Sequence, residues 1–287
     1  MITSSPAVVR YYLALRLSQL RADSGLTKQQ AGKQIGRTGQ TIANLEKGLH
    51  APTQSDLEKL LEHYGAEEQF PELRDLLPVA RKRNPKRTAP IPEDYDLLLN
   101  LEGDMARLDI VETSLVPGLL QTPGYAAAVF RADPNRSDLA VKQLVEARME
   151  RKQIFTRSDR PVELHVVVDE SVLYRDRGDA AAMREQLDYL LEVARTPTVD
   201  LQVLPLDAGA HQGQGTSWTL MTFPPLFQGH PGLVYLDLLG EARYVDDRKA
   251  VDTYRRTWCH VLGAAASADR SLQLIREARK KQGGKQQ

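Results

Sequence analysis

The side chains best suited to recognition chemistry are two amides, Gln40 and Asn44, four residues apart in the stretch LTKQQAGKQIGRTGQTIANLEKG at 26–48. Residues four apart share one face of a helix. A side-chain amide offers a donor and an acceptor together, the pattern that pairs bidentately with the N6 and N7 edge of adenine. If Ile42 and Leu45 face a core, then Gly39, Gln40, Ala43 and Asn44 form an outward face fit for base edges. Thr27, Lys28, Arg37, Thr41 and Lys47 flank that face with the hydroxyls and cations that suit phosphates.

The residues that catalysis would need are not arranged for it. The chain has no Walker A phosphate loop and no GxSxG, and AGAHQGQGTSW carries Trp218 where a dinucleotide fingerprint beginning at Gly213 needs glycine. Its six histidines, His50, His63, His165, His211, His230 and His260, lack the HxxxH spacing of a metal site, and the single Cys259 excludes an intramolecular disulfide. His165, Asp169 and Glu170 end a predicted strand, where acidic residues serve more often as helix caps than as acid-base groups. The expectation is a protein that is not an enzyme and holds neither metal nor cofactor.

The elements around the amides must hold a short helix in place. Thr27 caps a predicted helix whose inward residues are Gln30, Ala31 and Ile35, Gly36 supplies a turn, and Thr38 caps the helix with Gln40 and Asn44. Gly32 is expected to weaken the first of these by about 1 kcal/mol relative to alanine. Leu13, Leu17 and Leu20 predict a preceding amphipathic helix, about Pro6 to Ser24, and Leu57, Leu60, Leu61 and Tyr64 a following one. A fifth helix is expected in EEQFPELRDLLPVA, interrupted near Pro71. A helical hairpin of an ordinary bundle is the alternative reading of the same pattern.

Residues 78–92, PVARKRNPKRTAPIP, hold four prolines and the cations Arg81, Lys82, Arg83, Lys86 and Arg87, which predicts an extended linker between a 1–77 domain and a 93–287 domain. Its cations either track a phosphate backbone or only keep a linker solvated. Residues 1–90 hold 14 Lys/Arg against 9 Asp/Glu and the remainder 24 against 29, so the N-terminal part is the one suited to nucleic acid. The absence of a signal-peptide pattern and of any run of about 18 apolar residues predicts a cytoplasmic chain.

From Glu93 onward helix and strand alternate. DYDLLLNLEGDMARL reads as a helix with Leu97, Leu98, Leu101 and Met105 on one stripe, and residues 138–157 as a charged helix. RLDIVETS, PVELHVVVD, TVDLQVLP, TSWTLMTF and GLVYLDL are β-rich, and two helices (about 247–265 and 267–281) follow. Because the last three strands follow one another through short loops, the class expected is α+β with a mostly antiparallel or mixed sheet, joined to an all-α five-helix domain.

Leu26-Thr27, Ala31, Gly36, Thr38, Ile42 and Leu45-Glu46-Lys47-Gly48 resemble the Cro/CI-type (XRE) helix-turn-helix family over residues 9–77. Gly39 departs from that pattern, standing where the family carries a polar side chain. The resemblance implies a tie between Arg21 and Glu46; the alternative is two exposed charges of little consequence. LVPGLLQTPGYA (115–126), EARMERKQIFTR (146–157), VVVDESVLYR (166–175), MREQLDYLLEVA (183–194) and LQVLPLDAGAHQGQG (201–215) are similar to actinobacterial, antitoxin-like regulators of WhiJ type. That resemblance implies a regulator of transcription that binds double-stranded DNA and is encoded beside a small protein partner. The alternative within it is an interaction protein that mainly sequesters the partner.

A homodimer is expected, because one such module buries too little DNA to be selective. Leu119, Gln121 and Tyr125, with Leu115 and Leu120, offer an apolar and amphipathic mix between turn-forming residues, which suggests a partner-binding surface. The alternative is that these leucines fill the domain's own core.

Overall fold

The computed structural model describes residues 4–83, 93–156, 161–225, 227, 230–239 and 241–283. The chain divides into two compact units, Met1–Lys86 and Arg87–Gln287. Among the described residues no helix is long and apolar enough to cross a membrane.

The first unit is five helices, α1 (Pro6–Asp23), α2 (Lys28–Gln34), α3 (Gly39–Glu46), α4 (Gln54–Tyr64) and α5 (Phe70–Ala80). Each of the first four starts at a Ser or Thr that satisfies an orphan backbone donor: Ser5, Thr27, Thr38 and Thr53 accept from the amides of Val8, Gln30, Thr41 and Asp56. Leu13 and Leu17 of α1, Ala31 of α2, Ile42 of α3, and Leu57, Leu60 and Leu61 of α4 are buried and form the core. Pro71 does not interrupt the fifth helix but sits in its first turn, where a missing N–H costs nothing. Pro78 lies inside α5, which continues to Ala80, so the expected linker begins within a helix. Residues 84–92, including Lys86 and Arg87 of the cation run, lie outside the described residues.

Two expectations about α2 are corrected. Gln30 is exposed, not inward, because its side chain closes a capping box: Oε1 accepts from the Thr27 backbone N–H at 2.9 Å. Gly32 is a packing requirement more than a weakness. A Cβ there would lie 2.7 Å from the backbone C and O of Thr38, and one at Gly39 would lie 3.1 Å from Cα of Gln29. The two glycines let the backbones of α2 and α3 approach where they cross, and Gly36, at φ 70°, makes the turn between them.

The second unit is a six-stranded mixed sheet in the order β3-β2-β1-β4-β5-β6. After α6 (Glu93–Glu102) comes β1 (Arg107–Glu112), then α7 (Pro123–Arg131) and α8 (Asp138–Glu150) cross to β2 (Glu163–Asp169). The short α9 (Ser171–Tyr174) and α10 (Ala180–Val193) cross to β3 (Val199–Leu204). These three strands are parallel; β4 (Trp218–Thr222) pairs antiparallel with β1, β5 (Leu233–Leu238) with β4 and β6 (Glu241–Val245) with β5, and α11 (Arg248–Ala264) and α12 (Ala268–Gly283) follow. The α+β class with a mixed sheet is as the sequence predicts. β6 is an additional strand, and the expected helix over 138–157 turns into 3₁₀ geometry from Arg151 onward.

Strand alternation divides the sheet's faces. Val111, Trp218, Leu220, Val234 and Leu236 point to one face and pack with Val251, Trp258 and Val261 of α11. Ile110 and Glu112, Thr219, and Tyr235 and Asp237 belong to the opposite face and line a cavity with α6.

Replacing Gly32 by alanine tests the close crossing of α2 and α3. Propensity alone predicts a gain of about 1 kcal/mol; overpacking against backbone predicts a net loss of about 1–3 kcal/mol, read as a lower melting temperature of the helical unit by circular dichroism.

Candidate nucleic-acid interface and C-terminal cavity

The outer face of α3 brings the two amides together. Gln40 is exposed and its Nε2 donates to Oδ1 of Asn44 at 2.9 Å, so the amides share one helix face and preorganise each other. Ala43 and Asn44 are partly exposed beside them, Gly39 lies at the start of the helix against α2, and the Thr38 and Thr41 hydroxyls are 3.0 Å apart.

The helix is held by its C-terminal end. Glu46, whose side chain is 3% exposed, accepts from Nε and Nη2 of Arg21 at 2.5 and 3.1 Å, while Nη1 of Arg21 donates to the carbonyl of Leu26 at 2.7 Å. That fork ties α1, the α1–α2 turn and α3 together, and the Glu46 hydrogen bond raises the Arg21 pKa further. Leaving such a buried charge without its partner costs about 3–5 kcal/mol. The tie implied by the family resemblance is therefore present, as a shielded pair and not two loose surface charges.

The residues expected at phosphates divide into two kinds. Thr27 and Lys47 are exposed, and Lys47 has no ion pair among the described residues. Lys28 Nζ, by contrast, lies 3.4 Å from Glu46, and Arg37 forks onto Asp56 at 3.2 and 3.3 Å. Both remain about half exposed, so they can turn a donor outward without leaving their carboxylates.

The second unit corrects the expected partner-binding surface. Leu119, Gln121 and Tyr125 are buried, at 1%, 1% and 0% exposure. The Gln121 Nε2 donates to the Val116 carbonyl at 2.8 Å, and the Val116 N–H donates to the Tyr125 hydroxyl at 3.1 Å. Gln186 of α10, fully buried, clamps the same loop: its Nε2 donates to the Leu120 carbonyl and its Oε1 accepts from the Thr122 N–H, each at 2.7 Å. The stretch LVPGLLQTPGYA is thus an internal, hydrogen-bonded wall, and the alternative that its leucines fill the core is the one realised for Leu119 and Leu120.

That wall encloses one side of a cavity of about 90 Å³. On its floor Arg151, 8% exposed, forks onto Glu102 at 2.6 and 3.0 Å and donates from Nη1 to the Tyr95 hydroxyl at 2.5 Å. Arg148 donates to Oε1 of Gln121 at 2.7 Å and lies over the Phe130 ring, 4.5 Å from its centroid. Burial works against the charge of Arg151, but Glu102 and Tyr95 hold its pKa above the usual arginine value; burial lowers that of Arg148. A Cβ on Gly118 would lie 2.9 Å from Nη1 of Arg151, so glycine lets the wall close over the guanidinium groups.

Glu112 and Asp237 also line the cavity, and among the described residues neither has a cation within ion-pair distance. Burial pushes the Glu112 carboxyl up to about 7; Ser217 and Arg148 pull it down and Asp237 pushes it up. Asp237 is raised by burial too, against the pull of Arg148 and Arg151. No local motif in the sequence joins these residues, which come from α6, β1, β5 and the end of α8. The signal was the parity of RLDIVE, in which Glu112 shares a strand face with Ile110. His165, Asp169 and Glu170 do not form a catalytic set: Asp169 accepts from the Ser171 N–H at 2.9 Å and Oε2 of Glu170 from the Leu206 N–H at 2.9 Å, as turn and cap groups do.

A group whose folded pKa is raised to about 7 from 4.5 favours the protonated fold, so its cost appears as pH rises through that window and levels off above it. The melting temperature of the native chain should therefore fall relative to Glu112→Gln between pH 5 and pH 8 in differential scanning calorimetry. An unchanged difference across that range would contradict the burial of this carboxylate.

Comparison with known families agrees with the two-part geometry. The family described as "Helix-turn-helix domain" matches residues 13–77, and the one described as "Domain of unknown function (DUF5753)" matches residues 95–277. No curated protein and no solved structure matches the chain. With that second match spanning more than half of its length, the chain belongs to the DUF5753 family, behind an N-terminal helix-turn-helix domain.

Proposed function

We propose that this protein is a sequence-specific DNA-binding regulator of transcription in which α3 enters the major groove and Gln40 and Asn44 read base edges. The observation that carries the reading is the exposed Gln40–Asn44 amide pair on a helix whose opposite face, Ile42 and Leu45, is buried and whose end is anchored through Glu46 to Arg21. Ala43 keeps the face low enough for close approach to bases, Gly39 lets the start of α3 lie against α2, and Thr27, Lys28, Arg37, Thr41 and Lys47 position the phosphates. In this reading the chain acts in the cytoplasm, as a homodimer on two half-sites, and performs no catalysis.

The finer part of the proposal is antitoxin-like control by a small protein encoded nearby, acting through the second unit. Its support is the resemblance of LVPGLLQTPGYA, EARMERKQIFTR and the other C-terminal stretches to actinobacterial regulators of WhiJ type. The burial of Leu119, Gln121 and Tyr125 moves any contact surface elsewhere on this unit.

Selection of a preferred duplex from random DNA, followed by fluorescence anisotropy, tests the reading. Gln40→Ala should lose about 1–3 kcal/mol on the preferred duplex and much less on random DNA. Lys47→Ala should weaken both alike and reduce the slope of log K against log salt by about one. Equal losses on all sequences for Gln40→Ala would reject base readout by this face.

A further inference from the structure

We propose that the cavity of the second unit is a binding site for a small primary alkylammonium compound, held between the carboxylates of Glu112 and Asp237 and against the hydroxyl of Tyr235. The site is independent of the DNA-binding reading, since it lies wholly within the sheet and helices of one unit.

The cations of the cavity are committed: Arg151 to Glu102 and Tyr95, Arg148 to Gln121 and the Phe130 face. The acceptors are not. Glu112 receives a hydrogen bond from Ser217, and neither it nor Asp237 has an ion pair among the described residues. Tyr235 is 6% exposed, lines the same cavity, and its buried hydroxyl has no hydrogen-bond partner there. Asp237 stands at the exposed rim of the cavity and Glu112 is half-buried, whereas the buried Tyr235 hydroxyl without a partner is costly, so a hydroxyl and two unpaired carboxylates together call for an occupant rich in N–H donors.

Charge and shape narrow the class. Three carboxylates, Glu102, Glu112 and Asp237, face two guanidinium groups, which leaves one negative charge for a monocation to neutralise when all are ionised. Among the described residues no set of three His, Cys, Asp or Glu groups is placed to hold a metal ion, so the cation is an organic one. Leu98, Leu115, Val116 and Leu119 supply an apolar wall for a short carbon chain. A volume of about 90 Å³ admits an ammonium group with a few carbons. The site lies at the carboxyl end of β1, where the sheet changes from parallel to antiparallel pairing, and crevices at such strand ends are where α/β sheets bind ligands.

The test uses the full-length protein without DNA at pH 8, where the carboxylates are charged. Methyl-, propyl- and pentylammonium chloride are compared with tetramethylammonium chloride, sodium propionate and propanol by differential scanning fluorimetry and isothermal titration calorimetry. A primary ammonium compound at ten times its Kd should raise the melting temperature by about 3 °C; the three controls should not. Glu112→Gln should weaken that binding at least about ten-fold while the variant still melts cooperatively, and Tyr235→Phe, which removes only the hydroxyl, should weaken it several-fold. The proposal is overturned if no primary ammonium compound raises the melting temperature, if tetramethylammonium or propionate does so equally, or if binding survives Glu112→Gln unchanged.

Discussion

An eight-residue helix is too short to persist alone in water, and that constraint governs the N-terminal unit. The stability of α3 must come from tertiary contacts, and three are on hand. Ile42 and Leu45 are buried beneath it, the glycines at 32 and 39 let its first turn lie against the backbone of α2, and the Arg21–Glu46 fork fixes its last turn. Each acts on the inner side or the ends. The outer side is left free of structural duty, which is why small and amide side chains occupy it.

The second unit solves a different problem. Its sheet is covered on both faces, one by an aromatic and aliphatic layer under α11, the other by α6 and the wall at 115–121. The first face is largely apolar, with Trp218 edge-on to Tyr254 and Trp258 at 5.3 and 6.3 Å between centroids, and its buried Asp109 is paired with Arg107 at 2.6 Å. The second carries Glu102, Arg151, Arg148, Glu112 and Tyr95, a polar cluster whose assembly costs desolvation that an apolar layer would avoid. That cluster surrounds the cavity proposed above as a binding site.

The helix-turn-helix was legible because its signals are local: Thr27 and Thr38 as caps, Gly36 as a turn, and the Ile42 and Leu45 spacing all act within a few residues. What escaped was set by contacts distant in sequence. Gly32 reads as a weak helix former until Thr38 is seen lying where its Cβ would go. Lys28 and Arg37 read as free cations until Glu46 and Asp56 are beside them. The loop at 115–126 looked like a surface for want of Gln186 and Arg148, which lie on other helices and bind its backbone and side chains from within. β6 is hard to read because EARYV is a short edge strand with no buried residue, whose alternation runs over only Glu241 to Tyr244.

The central claim is that DNA is met by the outer face of α3 and its flanks. Heteronuclear NMR of the helix-turn-helix region, recorded on the full chain while a selected duplex is titrated in, tests it most directly. Amide shifts should concentrate within residues 27–47, with the side-chain NH₂ signals of Gln40 and Asn44 moving most as their mutual hydrogen bond is exchanged for base edges. Shifts concentrated in residues 93–283, or an α3 face that stays unperturbed while the duplex binds, would contradict it.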